Sequence, residues 1–245
     1  MSDRLKKYNV GLEKRRIPTW IPPNNIPGPK FYPNGDAKPF YGLTCIARIE
    51  PESDLFGKLC DLQERFREEF EQARLGSLFT FLTPESFHMT VCDIDADPDP
   101  TQIQLDDRIE QVQKAFDQIG KPEKVTSLVR GIGLKQTITA LVRFDHNPEE
   151  LEKVRAMELK IKKATGKNVR DFTGHVSLAY LVQHPGDDTH KIKEILFPYE
   201  KSAFGEYVFS QVELTRFKDM NTYTPLLTID LKSGTVTCHH EPRNT

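Results

Sequence analysis

The stretch LFTFLTPESFHMTVCDI, residues 78–94, decides the fold class. Two runs rich in aromatic and β-branched residues, LFTFL and SFHMTVCDI, flank the turn-forming Thr83-Pro84-Glu85 and read as two successive strands. Strands joined by so short a connection pair antiparallel, because a parallel pair needs a long crossover. In the second run residues two apart share a face. His88 and Thr90 therefore point one way, while Phe87, Met89 and Val91 point the other way, into a core.

Working outward, FYGLTCIARI (residues 40–49) reads as a strand. Residues 52–75 read as a helix, with Ser53 as N-cap and Leu55, Leu59, Leu62, Phe66 and Phe70 at helical spacing. Downstream, DADPDPTQIQLDD is expected to be a polar loop, followed by a helix over about 106–119 that stops at Gly120. KVTSLVRGIGL and TITALVRF form a strand pair turning at Lys135-Gln136. A helix over 148–165 begins at a proline and has acids at its start and lysines near its end. FTGHVSLAYLV is a strand, residues 187–196 a short helix, and the runs VFSQVELTRF and TPLLTIDL are strands. Strands that come in neighbouring pairs between helices give an α+β class, antiparallel sheets with helices packed on one face.

The 245 residues suffice for a substantial core, and 37% hydrophobic with 29% charged residues is a globular composition. A net charge of −2 supplies no global field for a long duplex nucleic acid. No run of about twenty apolar residues spans a membrane. Four scattered cysteines (Cys45, Cys60, Cys92, Cys238) show neither a C-x-x-C pair nor metal-like spacing, as expected of reduced thiols. With no secretory signal in the basic MSDRLKKYNVGLEKRRIP, a cytoplasmic location is expected. That basic stretch reads as a solvated tail. Residues 17–39 hold seven prolines, so they are neither helix nor central strand, and are expected to wrap the surface pinned by Trp20, Phe31 and Tyr32. The expected organisation is residues 1–39 as a wrapping segment, 40–231 as the main domain and 232–245 as a tail.

GHVSL, residues 174–178, repeats the pattern of FHMTV: His175 and Ser177 share one face, and Val176 and Leu178 the other. A single strand histidine is usually structural, and His146, His184, His190, His239 and His240 lack the pattern and read as solvated. Two copies of histidine, apolar, hydroxyl, apolar point to a shared chemistry. Imidazole takes or gives a proton near neutrality, and a hydroxyl beside it donates to an anionic oxygen. Two facing copies hold a base, an acid and two phosphate-oxygen donors, which suits in-line displacement at phosphorus. That logic calls for no metal and no cofactor; the nearest carboxylates, Asp93 and Asp95, lie beyond the motif.

The paired motifs His88-Met89-Thr90-Val91 and His175-Val176-Ser177-Leu178, 87 positions apart, resemble those of the two-histidine (2H) phosphoesterase superfamily of RNA ligase and cyclic phosphodiesterase-like proteins. The resemblance extends over about residues 40–231, through FLTPESFHMTV, GIGLKQTITALVRFD, PEELEKVRAMELKIKKATG and VELTRFKDMNTYTPLLTIDL. FYPNGDAKPFYGLTCIARI and SLAY look closer to an uncharacterised bacterial branch. It implies a bilobal fold, two antiparallel sheets with helices outside, and a central cleft carrying one motif per lobe. It implies His88 and His175 as the acid–base pair, in either assignment, and Thr90 and Ser177 as phosphate-oxygen donors. The implied substrate is a 2′,3′-cyclic phosphate, a short 2′,5′- or 3′,5′-linked nucleotide or an RNA-terminal phosphodiester, handled by a monomer without a membrane. A non-catalytic nucleotide or RNA-end binder and an RNA 2′,5′-ligase are the alternatives. Tyr180 and Tyr223 are secondary candidates for substrate contact; Arg130, Arg143 and Arg216 are candidates for rim charge. Gly174 departs from the bulkier residue that often precedes the second histidine, so a different cleft shape is expected there.

Overall fold

The structure, a computed structural model, describes residues 3–96, 101–119, 121, 123–168 and 173–239. The chain runs α1 (Asp3–Glu13), β1 (Gly42–Arg48), α2 (Asp54–Gln72), β2 (Phe79–Phe81), β3 (His88–Ala96), α3 (Gln102–Asp117), β4 (Val125–Leu134) and β5 (Thr137–Arg143). It continues α4 (Pro148–Ala164), β6 (His175–Leu181), α5 (Thr189–Leu196), β7 (Ala203–Phe209), β8 (Gln211–Phe217), β9 (Tyr223–Asp230) and β10 (Val236–Cys238).

All strands join one antiparallel sheet in the order β10-β9-β8-β1-β3-β6-β5-β4-β7, with β2 also paired to β6. The expected two sheets are thus one. The two halves meet where Met89 of β3 pairs with Val176 of β6, between the two histidine motifs. Among the described residues β2 does not pair with β3, contrary to the expectation from their short connection: further along β6 it takes over the same edge, Phe79 opposite Leu181 and Phe81 opposite Ala179. The chain leaves that edge at Leu82, turns through a 3-10 turn at Pro84–Ser86, and returns as β3.

Two element boundaries differ from expectation for local reasons. VFSQVELTRF is divided at Ser210 between β7, which edges β4, and β8, which pairs with β1, so the chain crosses from one half-sheet to the other there. Helix α3 begins earlier than position 106 because Thr101 and Gln104 form a capping box: the Gln104 amide donates to Thr101 Oγ1 (3.4 Å) and the Thr101 amide to Gln104 Oε1 (2.8 Å). The polar-loop residues 97–100 and the stop at Gly120 lie outside the described residues, as does His240. Helix α2 is capped by Ser53, whose Oγ accepts from the Phe56 amide (3.2 Å).

Helix α4 packs against β3 and β4, α3 against α4 and β9, and α2 against β7. Met89, Val91, Val176 and Leu178 are all in the core beneath them. The N-terminus is a helix with a buried face rather than a solvated tail: Leu5, Tyr8 and Leu12 of α1, one helical stripe, are at most 3% exposed. Behind it Ile17, Trp20 and Phe31 are buried, whereas Tyr32 is exposed and pins nothing. Residues 138–142 of β5 are buried without alternation, as in a strand covered on both faces.

Candidate active site

His88 and His175 are each the first residue of their strand, and each ring is held in the same way. Nδ1 of His88 is 2.6 Å from the Ser86 carbonyl, and Nδ1 of His175 is 2.8 Å from the Thr173 carbonyl, in both cases two residues back. A carbonyl only accepts, so Nδ1 carries the proton in both rings and Nε2 is the free nitrogen.

The strand register brings the motifs together. Carried one residue either way, the Met89–Val176 pairing sets His88 beside Ser177 and Thr90 beside His175. The histidines are then diagonal neighbours, at the roughly 7–8 Å typical of such positions. The four side chains share a half-buried face opposite the core. Among the described residues the Thr90 and Ser177 hydroxyls have no side-chain hydrogen bond, leaving them free to donate to a ligand.

Burial pushes the His88 imidazole down to about 4, helped by the nearby Arg48 and Lys30 charges and opposed by the bond to Ser86. Burial pushes His175 down to about 3, with Arg15, His88 and Lys30 adding to it against the Thr173 bond. Both rings are therefore neutral at pH 7 before a ligand binds, and a proton on His88 would further disfavour one on His175.

Both secondary tyrosines reach this face. Tyr223 is the first residue of β9, and its ring centre lies 4.5 Å from that of His88. Tyr180 would face away in a regular strand. Ile138 pairs with Ala179 but Thr139 pairs with Ser177, leaving Leu178 as an extra residue in β6. That bulge turns Tyr180 back to the histidine side. The two hydroxyls converge on Met220 Sδ, at 3.6 Å for Tyr180 and 4.0 Å for Tyr223. The arginines are dispersed: Arg130 is exposed, Arg143 donates to its carbonyl (3.4 Å) while lining a pocket with Arg15 and Leu141, and Arg216 lies in β8 opposite Thr224.

Gly174 is explained by α1. A Cβ there would stand 2.8 Å from Tyr8 Oη, 3.1 Å from Val142 Cβ and 3.2 Å from Met89 Sδ. The Tyr8 hydroxyl donates to the Val142 carbonyl across this spot.

Three cations escaped sequence reasoning. Arg48, opposite His88 in the β1–β3 register, is committed to Glu213 (2.7 Å) and to the Tyr223 carbonyl (3.0 Å). Lys30 and Arg15 come from the N-terminal segment, one from a proline-rich stretch and one from a basic run, and nothing in either pattern marks a cleft residue. Asp95 is held by Arg108 (2.8 Å) and Lys167.

Residues 30–122 match the 2H-phosphodiest family model, described as a domain of unknown function (DUF1868). No curated protein matches the sequence. The fold is similar to that of ATU0111, a conserved protein of unknown function from Agrobacterium tumefaciens, with a TM-score of 0.62 and 16% identity over 92% of this chain and 98% of that one. It is similar to TT0787 of Thermus thermophilus, with a TM-score of 0.54 and 16% identity over 78% and 98%. It is also similar to Escherichia coli LigT complexed with 3′-AMP, with a TM-score of 0.54 and 12% identity over 79% and 98%. At such identities the likeness is one of fold. The family match covers the first histidine strand, and the likeness of fold to these solved structures extends over the rest of the chain.

Proposed function

We propose that the chain is a metal-independent phosphodiesterase that opens 2′,3′-cyclic phosphates or cleaves short 2′,5′- or 3′,5′-linked nucleotides by two-histidine acid–base catalysis. The observation that carries this reading is the matched tethering of the two rings, each Nδ1 on the carbonyl two residues back and each Nε2 free on one shared face. A water attacks phosphorus while one Nε2 takes its proton. The opposite ring, protonated on Nε2 as an imidazolium in the substrate complex, gives that proton to the departing ribose oxygen as the P–O bond breaks, leaving a phosphomonoester. Thr90 and Ser177 donate to the non-bridging oxygens, where charge builds up in the transition state. In the reverse direction the same groups would serve ligation. A small substrate and a monomeric, cytoplasmic enzyme complete the proposal.

Turnover of 2′,3′-cyclic nucleotides, measured with EDTA present, tests it. His88→Ala and His175→Ala are each expected to lower kcat by about 10²- to 10⁴-fold, the usual worth of a positioned acid or base. Wild-type rates in both variants would remove the mechanism.

A further inference from the structure

The two histidine strands are only part of what surrounds the cleft. The segment of residues 14–39 is fixed at several points. Trp20 Nε1 donates to the Lys135 carbonyl (2.8 Å), and the Phe40 amide to the Lys218 carbonyl (2.9 Å). Between them a small hairpin closes from the Lys38 amide to the Lys30 carbonyl (2.9 Å) around a Phe31–Ala37 bridge. Phe31 is buried against the Tyr180 ring, 4.8 Å between centres. Phe31, Ala37 and Phe40 pack with Tyr180, Phe217 and Tyr223 in a second apolar cluster, separate from the main core. That cluster sets the N-terminal segment beside Tyr180 and Tyr223, the two tyrosines that reach the histidine face.

Lys30 stands at the base of this hairpin, so its position is set by backbone hydrogen bonds. Its ammonium donates to Tyr180 Oη (3.3 Å) and lies 5.3 Å and 5.4 Å from the centres of the Phe40 and Tyr180 rings. Its charge reaches both His88 and His175. Arg15 packs its Cβ where a side chain on Gly133 would have to sit (2.8 Å), and its Nη1 approaches Thr139 Oγ1 (3.5 Å). Thr139 is the cross-strand partner of Ser177, so the guanidinium flanks the second motif. Its Nε is buried with no hydrogen-bond partner. Among the described residues neither Lys30 nor Arg15 has a carboxylate partner. A half-buried cation without a counter-charge is unfavourable, and two of them beside neutral imidazoles make a surface complementary to an anion.

We propose that Lys30 and Arg15 form an anion-binding site that completes the cleft, and that its ligand is the phosphate or phosphodiester group of a small molecule. The proline-rich segment is then a wall of the substrate site. The identity of the anion as phosphate rests on the phosphodiesterase reading, whereas the two cations are placed independently of it.

The test separates the two. Inorganic phosphate binding is measured by titrating the imidazole NMR resonances of wild type, Lys30→Met, Arg15→Gln, Arg15→Lys and, as a control, Lys38→Met. Lys30→Met keeps the apolar stem over the rings and removes only the charge. A charge-assisted hydrogen bond lost from such a site weakens binding about 10- to 100-fold. That loss is expected for Lys30→Met and Arg15→Gln, with partial rescue in Arg15→Lys and no change in Lys38→Met, whose ammonium lies over the exposed Tyr32 ring. Thermal melting run on each variant shows that the loss is not unfolding. Phosphate affinity unchanged in folded Lys30→Met, or no phosphate binding by wild type, overturns the anion site. If phosphate binding depends on Lys30 while no cyclic phosphate is turned over, the anion site stands and the phosphodiesterase reading fails. If turnover needs both histidines while KM is unmoved in Lys30→Met, the reverse holds.

Discussion

Each imidazole of the pair is neutral in the free protein because its ring is enclosed and neighbouring cations repel a proton, with His88 pushed down to about 4 and His175 to about 3. The proposed chemistry nevertheless needs one imidazolium. The proton therefore arrives with, or after, an anionic substrate whose charge raises the pKa of the nearer ring. Two pH consequences follow from that order of events. First, kcat/KM reports the free protein and should fall about tenfold per unit above pH 4, while kcat, which reports the complex, should peak closer to neutrality. Profiles with the same optimum for both would count against the assignment. Second, unfolded imidazoles titrate near 6.5, so below that pH the unfolded chain binds protons that the folded chain refuses. The contribution of the neutral rings is intact above about pH 6.5 and is lost as pH falls towards 4. In His88→Gln and His175→Gln the decline of Tm with acid, followed by melts from about pH 7 to about pH 4, should be shallower than in wild type. The residues of the pair were legible in the sequence because period 2 alone sorts His88 with Thr90 and His175 with Ser177. Their tethers to Ser86 and Thr173 were not, since a backbone carbonyl leaves no mark in a side-chain pattern.

At the scale of the element, β6 shows where period counting stops working. The extra residue Leu178 shifts every later side chain to the other face, which is how Tyr180 joins the histidines. The bulge is braced from α2. Gln63, buried in a helix stripe otherwise made of leucine and phenylalanine, donates its amide to the carbonyls of Leu178 (2.9 Å) and Leu82 (2.8 Å). The Leu178 carbonyl also accepts from the Leu82 amide (3.0 Å), but among the described residues the Leu82 carbonyl accepts only from the glutamine. Gln63→Leu preserves volume and strands a buried acceptor, which costs roughly 1–3 kcal/mol. A Tm several degrees below wild type is expected, and a tyrosine-reporting spectrum that changes with it would show Tyr180 turning away; an unchanged Tm would mean the bulge needs no brace. Helix α2 itself was readable from its stripe and its Ser53 cap, but Gln63 was not, because its partners exist only once β2, β3 and β6 have met.

For the whole molecule, the largest departure from the sequence reading is at the N-terminus. Hydrophobic pattern predicts what a segment hides, and in MSDRLKKYNVGLEKRRIP the charges outnumber the three apolar positions that matter, Leu5, Tyr8 and Leu12. Proline content correctly excludes regular structure from 17–39 but says nothing about where that segment docks. The single sheet was equally hidden, because the junction of its halves is one residue pair, Met89 with Val176. A junction so narrow gives the two half-sheets little mutual hydrogen bonding, and other contacts must hold them in register. The N-terminal segment supplies some of these: Trp20 bonds to the β4–β5 turn, while the Phe40 amide bonds at Lys218, after β8 of the other half. Its buried side chains Leu5, Tyr8, Leu12, Ile17, Trp20 and Phe31 each contribute roughly 1.5–3 kcal/mol of burial. Their sum is comparable with or larger than the net 5–15 kcal/mol that keeps a typical domain folded. A chain truncated to begin at residue 40 is therefore expected to lose cooperative unfolding and to bind a hydrophobic dye, even though it retains both histidine motifs. A truncated protein that melts cooperatively within a few degrees of the full chain would show instead that the segment is dispensable to the fold. Loss of phosphate binding in such a folded fragment would then place its role in the cleft alone.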